Sequence, residues 1–197
     1  MSLRAIVKTA LPDAMVKYRR ENLLRPFRAR KESNKWLRRN CRDIQGKVLS
    51  IGSGSDADNE GDYYRNYFPM ASSYTTSEVS REFKCDLTLD VRAMPEIADE
   101  SYDCIFCSGV LEHVDDYQAG FDELTRILKN GGVLLLGLPF RQAIHMSPHD
   151  FWRFTEHGIR HLLNESYETI DMVPIDAKRG MNFPAAYWVK AIKIKRA

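Results

Sequence analysis

The spacing of apolar positions changes near Gly46. Before it, Leu3, Ile6, Val7, Ala10 and Leu11 recur at helical intervals, Met15, Val16 and Leu23 suit a second helical piece, and Trp36 with Leu37 marks a third. Pro12 and Pro26 cut this stretch into short pieces, because proline removes a backbone donor. After Gly46, short apolar runs alternate with helical stripes. Runs at 47–51, 72–78, 85–89 and 102–107 predict four strands. Phe121, Leu124, Ile127 and Leu128 share a helical face over 121–129, and Asn130-Gly131-Gly132 stops that helix before a fifth strand at 133–138. Thr155 predicts the cap of a helix running to Leu163, and 167–175 and 187–194 predict two last strands. Such alternation implies an α/β fold with a doubly wound, mostly parallel sheet and helices on both faces. Ligands of such sheets sit at the carboxyl ends of the strands, near the point where strand order reverses. The expected division is a basic helical extension, 1–40, and one globular domain, 41–197.

Composition narrows this only a little. The chain has 197 residues, 44% hydrophobic and 28% charged, which suits one soluble domain. The apolar run 133–138 is far too short to span a bilayer, and the first residues lack the pattern of a secretory signal, so a cytoplasmic location is expected. The net charge of +2 hides an asymmetry: residues 1–47 hold 14 Lys/Arg against four acids, and the rest hold 15 against 23. A basic segment of this kind suits an anionic membrane surface, a nucleic acid, an anionic substrate or the acidic body beside it. Its bases are spread out, which favours packing on the body. Cys104 and Cys107 lie three apart on a predicted strand, point to opposite faces and read as core residues. His157 and His161 share a helix face with no His-Glu-x-x-His motif, and no metal is expected there or at His145 and His149.

Candidate chemistry gathers at the ends of the predicted strands. Ser50-Ile51-Gly52-Ser53-Gly54 follows the first strand, and glycines there allow a sharp turn and close approach to a ligand. Asp56, Asp58 and Glu60 crowd that turn with negative charge. A pyrophosphate would want bare amides and a helix N-terminus, so the acidity argues against NAD or a nucleoside triphosphate. It suits a ligand carrying a sulfonium and an ammonium. Glu78, ending the second strand, can accept two hydrogen bonds from a cis-diol. Asp90 can accept from an exocyclic amine, with the Val91 amide beside it, and is preferred to Asp86 because Met94-Pro95 follows.

Taken in order, these stretches resemble the class I S-adenosylmethionine-dependent methyltransferases over roughly 46–163. Val48–Gly54 resembles the cofactor loop, Glu78 the ribose acid, and Asp90-Val91-Arg92-Ala93-Met94-Pro95 the adenine segment. Ser101–Phe106 with Leu111-Glu112-His113-Val114 resembles the fourth strand and its trailing turn, which includes Ser108 and Gly109. Leu124–Gly132 resembles the helix and turn before strand five. The resemblance implies a seven-stranded Rossmann-like sheet and S-adenosyl-L-methionine as cofactor. The cofactor residues it implies are Ser50, Ile51, Gly52, Ser53, Gly54, Glu78, Asp90, Val91, Ser108 and Gly109. Two positions depart from the family: Ser50 stands where an acid is common, and Asp56 where a third glycine is.

Methyl transfer from a sulfonium needs a held nucleophile and exclusion of water, and a base only when the nucleophile must lose a proton. His113 and His149 are the candidate bases. His145, Trp152 and Arg153, after the fifth strand, are the candidate acceptor-binding residues. Alternatively, Asp150 pairs with Arg153 and the aromatics merely pack. A small-molecule, sugar or glycolipid-type acceptor is expected. A nucleic-acid acceptor ranks lower, since no RNA-binding module is visible. A catalytically inactive cofactor-binding scaffold is the alternative that Ser50 and Asp56 motivate, and a nucleotide-dependent oxidoreductase ranks below it.

Overall fold

The computed structural model describes residues 28–177 and 183–195. The first two helical pieces expected in the basic segment lie outside them. Helix α1 covers residues 28–41. Seven strands follow: β1 Gly46–Ile51, β2 Ala71–Glu78, β3 Leu87–Thr88, β4 Tyr102–Ser108, β5 Leu128–Pro139, β6 Tyr167–Ile175 and β7 Ala186–Lys193. They form one sheet in the order β3-β2-β1-β4-β5-β7-β6. Pairings from β3 to β5 are parallel, while β7 runs antiparallel to both β5 and β6. Helix α2, Tyr117–Ile127, leads into β5, and α3, Glu156–Leu163, leads into β6.

The period-2 alternation of the central strands divides the core into two layers. Leu49, Ile105, Cys107, Leu134 and Leu136 face α2 and α3, meeting Phe121, Leu124, Ile127, Ile159 and Leu162. Val48, Cys104, Phe106 and Leu135 face the other way and meet Trp36, Leu37 and Cys41 of α1 with Tyr67 and Phe68. Cys104 and Cys107 thus lie on opposite sides of the sheet, as their spacing predicts. Burial pushes both thiols well above their ordinary range.

Helix α1 lies outside the sheet but inside the folded body. Trp36 stacks on Trp188 at 5.6 Å and donates Nε1 to Asp171 at 2.9 Å. Lys190 of β7 donates Nζ to the Asn40 carbonyl, one of its C-terminal acceptors. Asn34 donates to the Asp58 carbonyl and the Glu60 carboxylate, and Arg38 pairs with Asp58 at 2.8 Å. Asp58 is wholly buried and also accepts from the Tyr67 hydroxyl and the Glu60 and Asp62 amides. Its burial pushes the carboxyl up, but these donors outweigh it and hold the group below the ordinary carboxylate range.

Three elements differ from the sequence pattern. Helix α2 begins four residues before the apolar stripe because Asp116 caps it, accepting from the Ala119 amide at 3.0 Å. Its first turn is free of large side chains at Gly120, where a Cβ would come within 3.3 Å of Leu111. The helix ends at Ile127 rather than at the glycines: Leu128 is already extended and opens β5, whose first residues pass through a bulge opposite Tyr102–Cys104. The third strand shrinks to two residues, because Asp86 turns inward to accept from the Thr76 amide and hydroxyl. Thr155 caps α3 as its position predicts, accepting from Gly158 at 3.0 Å.

The Asp58 network yields a stability prediction. Asp58→Asn should lower unfolding free energy by about 1–3 kcal/mol, the cost of leaving buried donors poorly matched. The carboxyl sits lower in the folded than in the unfolded chain. Its contribution is therefore complete above the ordinary value of 3.8 and fades as pH falls below it. Urea titrations of both proteins at pH 7 and pH 3 check this: the gap between them should narrow at the lower pH.

Candidate active site

Strands β1 and β4 are parallel neighbours, and the chain departs from their carboxyl ends to opposite sides. The turn after β1 heads toward β2, and the turn after β4 heads toward α2. A cavity of about 500 Å³ opens between them. Ile51 and Gly52 form one wall, Gly109, Val110 and His113 the facing wall, and Glu78 and Asp90 the end beyond β2. Gly52 has φ +65°, and a Cβ there would lie 2.4 Å from a Val110 methyl, so the two turns approach as closely as glycine allows. Glu78 reaches back across the β1 turn, its Oε2 accepting the Gly54 amide at 3.1 Å. Asp90 lines the cavity with its carboxylate clamped by Arg92, which also pairs with Asp115. The Arg92 hydrogen bonds hold the Asp90 carboxyl below its ordinary range.

A second cavity, about 720 Å³, adjoins the first and shares Gly109, His113 and Met146 with it. Ser108, Gly137 and Pro139 form its floor at the ends of β4 and β5. Arg30 and Asn34 of α1, Tyr64 and Trp188 line one side, and Glu112 and His145 another. Glu112 is 2% exposed, and its Oε2 has no hydrogen-bond partner among the described residues. Burial pushes its carboxyl up to about 7. No spacing rule singles out this residue, which lies inside the Leu111-Glu112-His113-Val114 turn; only its burial marks it.

The expected cofactor residues divide. Ile51, Gly52, Glu78, Asp90, Val91 and Gly109 line the first cavity, and Ser108 lines the second. Ser50, Ser53 and Gly54 line neither. Ser50 and Ser53 bond to each other at 2.9 Å and brace the turn from behind, and the Gly54 amide is held by Glu78. Sequence reading missed the apolar lining from Val79, Phe83, Leu89, Val114 and Phe151, since scattered hydrophobic residues carry no pattern.

The acids of the β1 turn require a correction. Asp56 and Asp58 are buried away from the cavity, paired with Arg65 and Arg38, and Glu60 accepts from Asn34. The charges of Asp56 and Asp58 are neutralised within the fold, Glu60 is turned to α1 and solvent, and none of the three lines the first cavity. Asp56 keeps the φ of +59° that a glycine would adopt, its carboxylate also accepting from Tyr74. The departure from glycine there adds no side chain to the cavity.

Of the residues after β5, His145 lines the second cavity and His149 the first. Trp152 and Arg153 line neither. Trp152 donates to the Val114 carbonyl and packs edge-on against Tyr117, while Arg153 holds Asp150 through two bonds of 2.7 and 2.8 Å. These two side chains anchor the segment to the turn after β4 and to Asp150. The Arg153 guanidinium holds the Asp150 carboxyl far below its ordinary range. His113 connects the halves: its Nδ1 lies 2.6 Å from the His149 carbonyl.

Residues 49–136 match the family model described as Methyltransferase domain. No curated protein matches the chain in a sequence search. Among solved structures, a chain of the complex between the Haloferax volcanii Trm112 methyltransferase activator and the putative methyltransferase superposes with a TM-score of 0.64 at 14% identity, covering 93% of this chain and 97% of that one. The N-methyltransferase NodS from Bradyrhizobium japonicum WM9 gives 0.60 at 16% identity over 94% and 100%. The [4+2]-cyclase SpnF gives 0.62 at 14% identity over 83% and 81%. The strand order and the antiparallel β7 are those of a seven-stranded Rossmann-like methyltransferase fold, and residues 49–136 carry the match to the methyltransferase domain.

Proposed function

We propose that the protein transfers a methyl group from S-adenosyl-L-methionine, held in the first cavity, to a small-molecule, sugar or glycolipid-type acceptor that enters through the second. The observation that carries this reading is the meeting of two cavities at Gly109, His113 and Met146. In-line displacement needs the methyl donor and the nucleophile to face each other across one point, shielded from water. Glu78 supplies the acceptor oxygens for a ribose diol, and Asp90 with the Val91 amide lies where an adenine edge would be read. A pyrophosphate is disfavoured because the Gly54 amide it would need is already occupied by the Glu78 carboxylate.

The second cavity supports an acceptor with hydroxyl or anionic groups. Arg30 and Asn34 bring hydrogen-bond donors from α1, and Trp188 and Tyr64 offer aromatic surface. Helix α1 thereby links the basic end of the chain to acceptor entry. Attraction of that end to an anionic membrane carrying the acceptor belongs to the same proposal. The SpnF likeness favours one second reading, a different reaction on the same fold, since fold alone does not fix chemistry.

Calorimetry with S-adenosyl-L-methionine, its demethylated product and NAD tests the cofactor assignment. Binding of either S-adenosyl ligand without NAD binding is expected; the reverse would refute it. Glu78→Ala should weaken that binding by about 1–3 kcal/mol through lost hydrogen bonds to a charged group. Gly52→Ala should weaken it at least tenfold, about 1.4 kcal/mol, because a Cβ meets Val110 across the cavity mouth. A methyl-transfer screen with pooled hydroxylated acceptors then separates methyl transfer from another reaction on the fold.

A further inference from the structure

We propose that Glu112, His113 and His145 form a binding site for one divalent transition-metal ion at the junction of the two cavities. Offering one ligand atom each, the three side chains bring those atoms within 4.8 Å of one another. All three line the second cavity.

The hydrogen-bond network assigns what each atom presents. His113 Nδ1 lies 2.6 Å from the His149 carbonyl, which only accepts, so Nδ1 carries the hydrogen and Nε2 holds a lone pair. His145 Nδ1 lies 3.2 Å from the Ala143 carbonyl and 3.4 Å from the Asp150 carboxylate, which assigns the same tautomer. Glu112 Oε1 stands 3.9 Å from His113 Nε2, and Glu112 Oε2 is buried without a partner among the described residues. Two imidazole lone pairs and a carboxylate therefore converge with no donor between them. Acceptors gathered in this way call for a cation.

The chemistry of the set names its class. Two imidazoles and one carboxylate suit zinc and neighbouring transition metals rather than calcium or magnesium, which favour oxygen ligands alone. Three protein ligands leave coordination positions open, as in sites that also hold a small molecule. Ligand atoms around such an ion stand about 3.4 Å apart for bonds near 2.1 Å, so separations of up to 4.8 Å need to close by up to about 1.4 Å. His145 is half-buried, so rotation of its side chain, with its amide still held by Asp150, would supply that movement. Behind the ligands, Asp150 and the His149 carbonyl occupy the positions of the oxygens that orient metal-bound histidines. Asp150 is itself fixed by Arg153. The open positions face the second cavity, where they would hold an oxygen or nitrogen of the bound molecule.

Metal binding does not rest on the methyl-transfer reading, and its test uses neither cofactor nor acceptor. The full chain is titrated with Co²⁺, read by the visible absorption of the ion in a low-coordinate site, and with Zn²⁺ by calorimetry. One equivalent should bind. Glu112→Gln and His145→Ala should each weaken binding at least about tenfold, the scale on which changes around a site act. His157→Ala should leave it unchanged, since His157 and His161 are an exposed pair on α3, far enough apart in role to report adventitious binding. Because His145 is not in the core, its variant remains informative if Glu112→Gln folds poorly. Absence of binding, or binding that survives in His145→Ala and disappears in His157→Ala, would overturn the site.

Discussion

Everything at the candidate site depends on the parallel pairing of β1 with β4 at the centre of the sheet. Val48 to Ile51 lie in register with Cys104 to Cys107, so the two strands end side by side. Their turns then diverge, and the space between them cannot be filled by either. Gly52 and Gly109, both at positive φ, let the two backbones leave the strands sharply enough to open the first cavity without closing its mouth. Glu78 finishes that cavity because β2 pairs in parallel with β1 and ends beside the same turn. The second cavity follows from the same arrangement one strand further on, where β5 ends at Pro139 and α1 leans over the sheet.

Two buried networks hold these edges in place. On the α1 face, Asp56 and Asp58 tie the β1 turn to Arg65, Tyr74, Arg38 and Tyr67. On the other side, Asp150 ties the segment after β5 to Arg153 and to the His145 amide at 2.8 Å. Buried carboxylates are costly unless matched by donors, so each network fixes its loop in one arrangement rather than adding much net stability. Among the described residues Glu112 stands apart as the buried carboxylate left with an unmatched oxygen, and it lines the second cavity beside His113, where the cavities meet.

The sheet was legible because its signals are local. Apolar runs along β1 and β4 and glycines at strand ends need only neighbouring residues, and the cap at Thr155 needs three. Glu78 and Gly52 were legible for the same reason: each sits at a fixed offset from a strand. What was not legible depends on long-range pairing. The acids after β1 look alike in the sequence, and only the placement of Arg38, Arg65, Tyr67 and Tyr74 shows that they are structural. Trp152 and Arg153 look like binding residues until Val114 and Asp150 are seen to hold them. The approach of His145 to Glu112 and His113 crosses more than thirty residues of chain and leaves no trace in spacing.

On this proposal the two joined cavities are the two halves of one transfer site. A crystal structure of the full chain with S-adenosylhomocysteine tests it most directly. The ribose should lie at Glu78, the adenine beside Asp90 and Val91, and the sulfur should point past Gly109 and His113 toward the second cavity. A nucleoside bound elsewhere, or one whose sulfur points away from the second cavity, would contradict it.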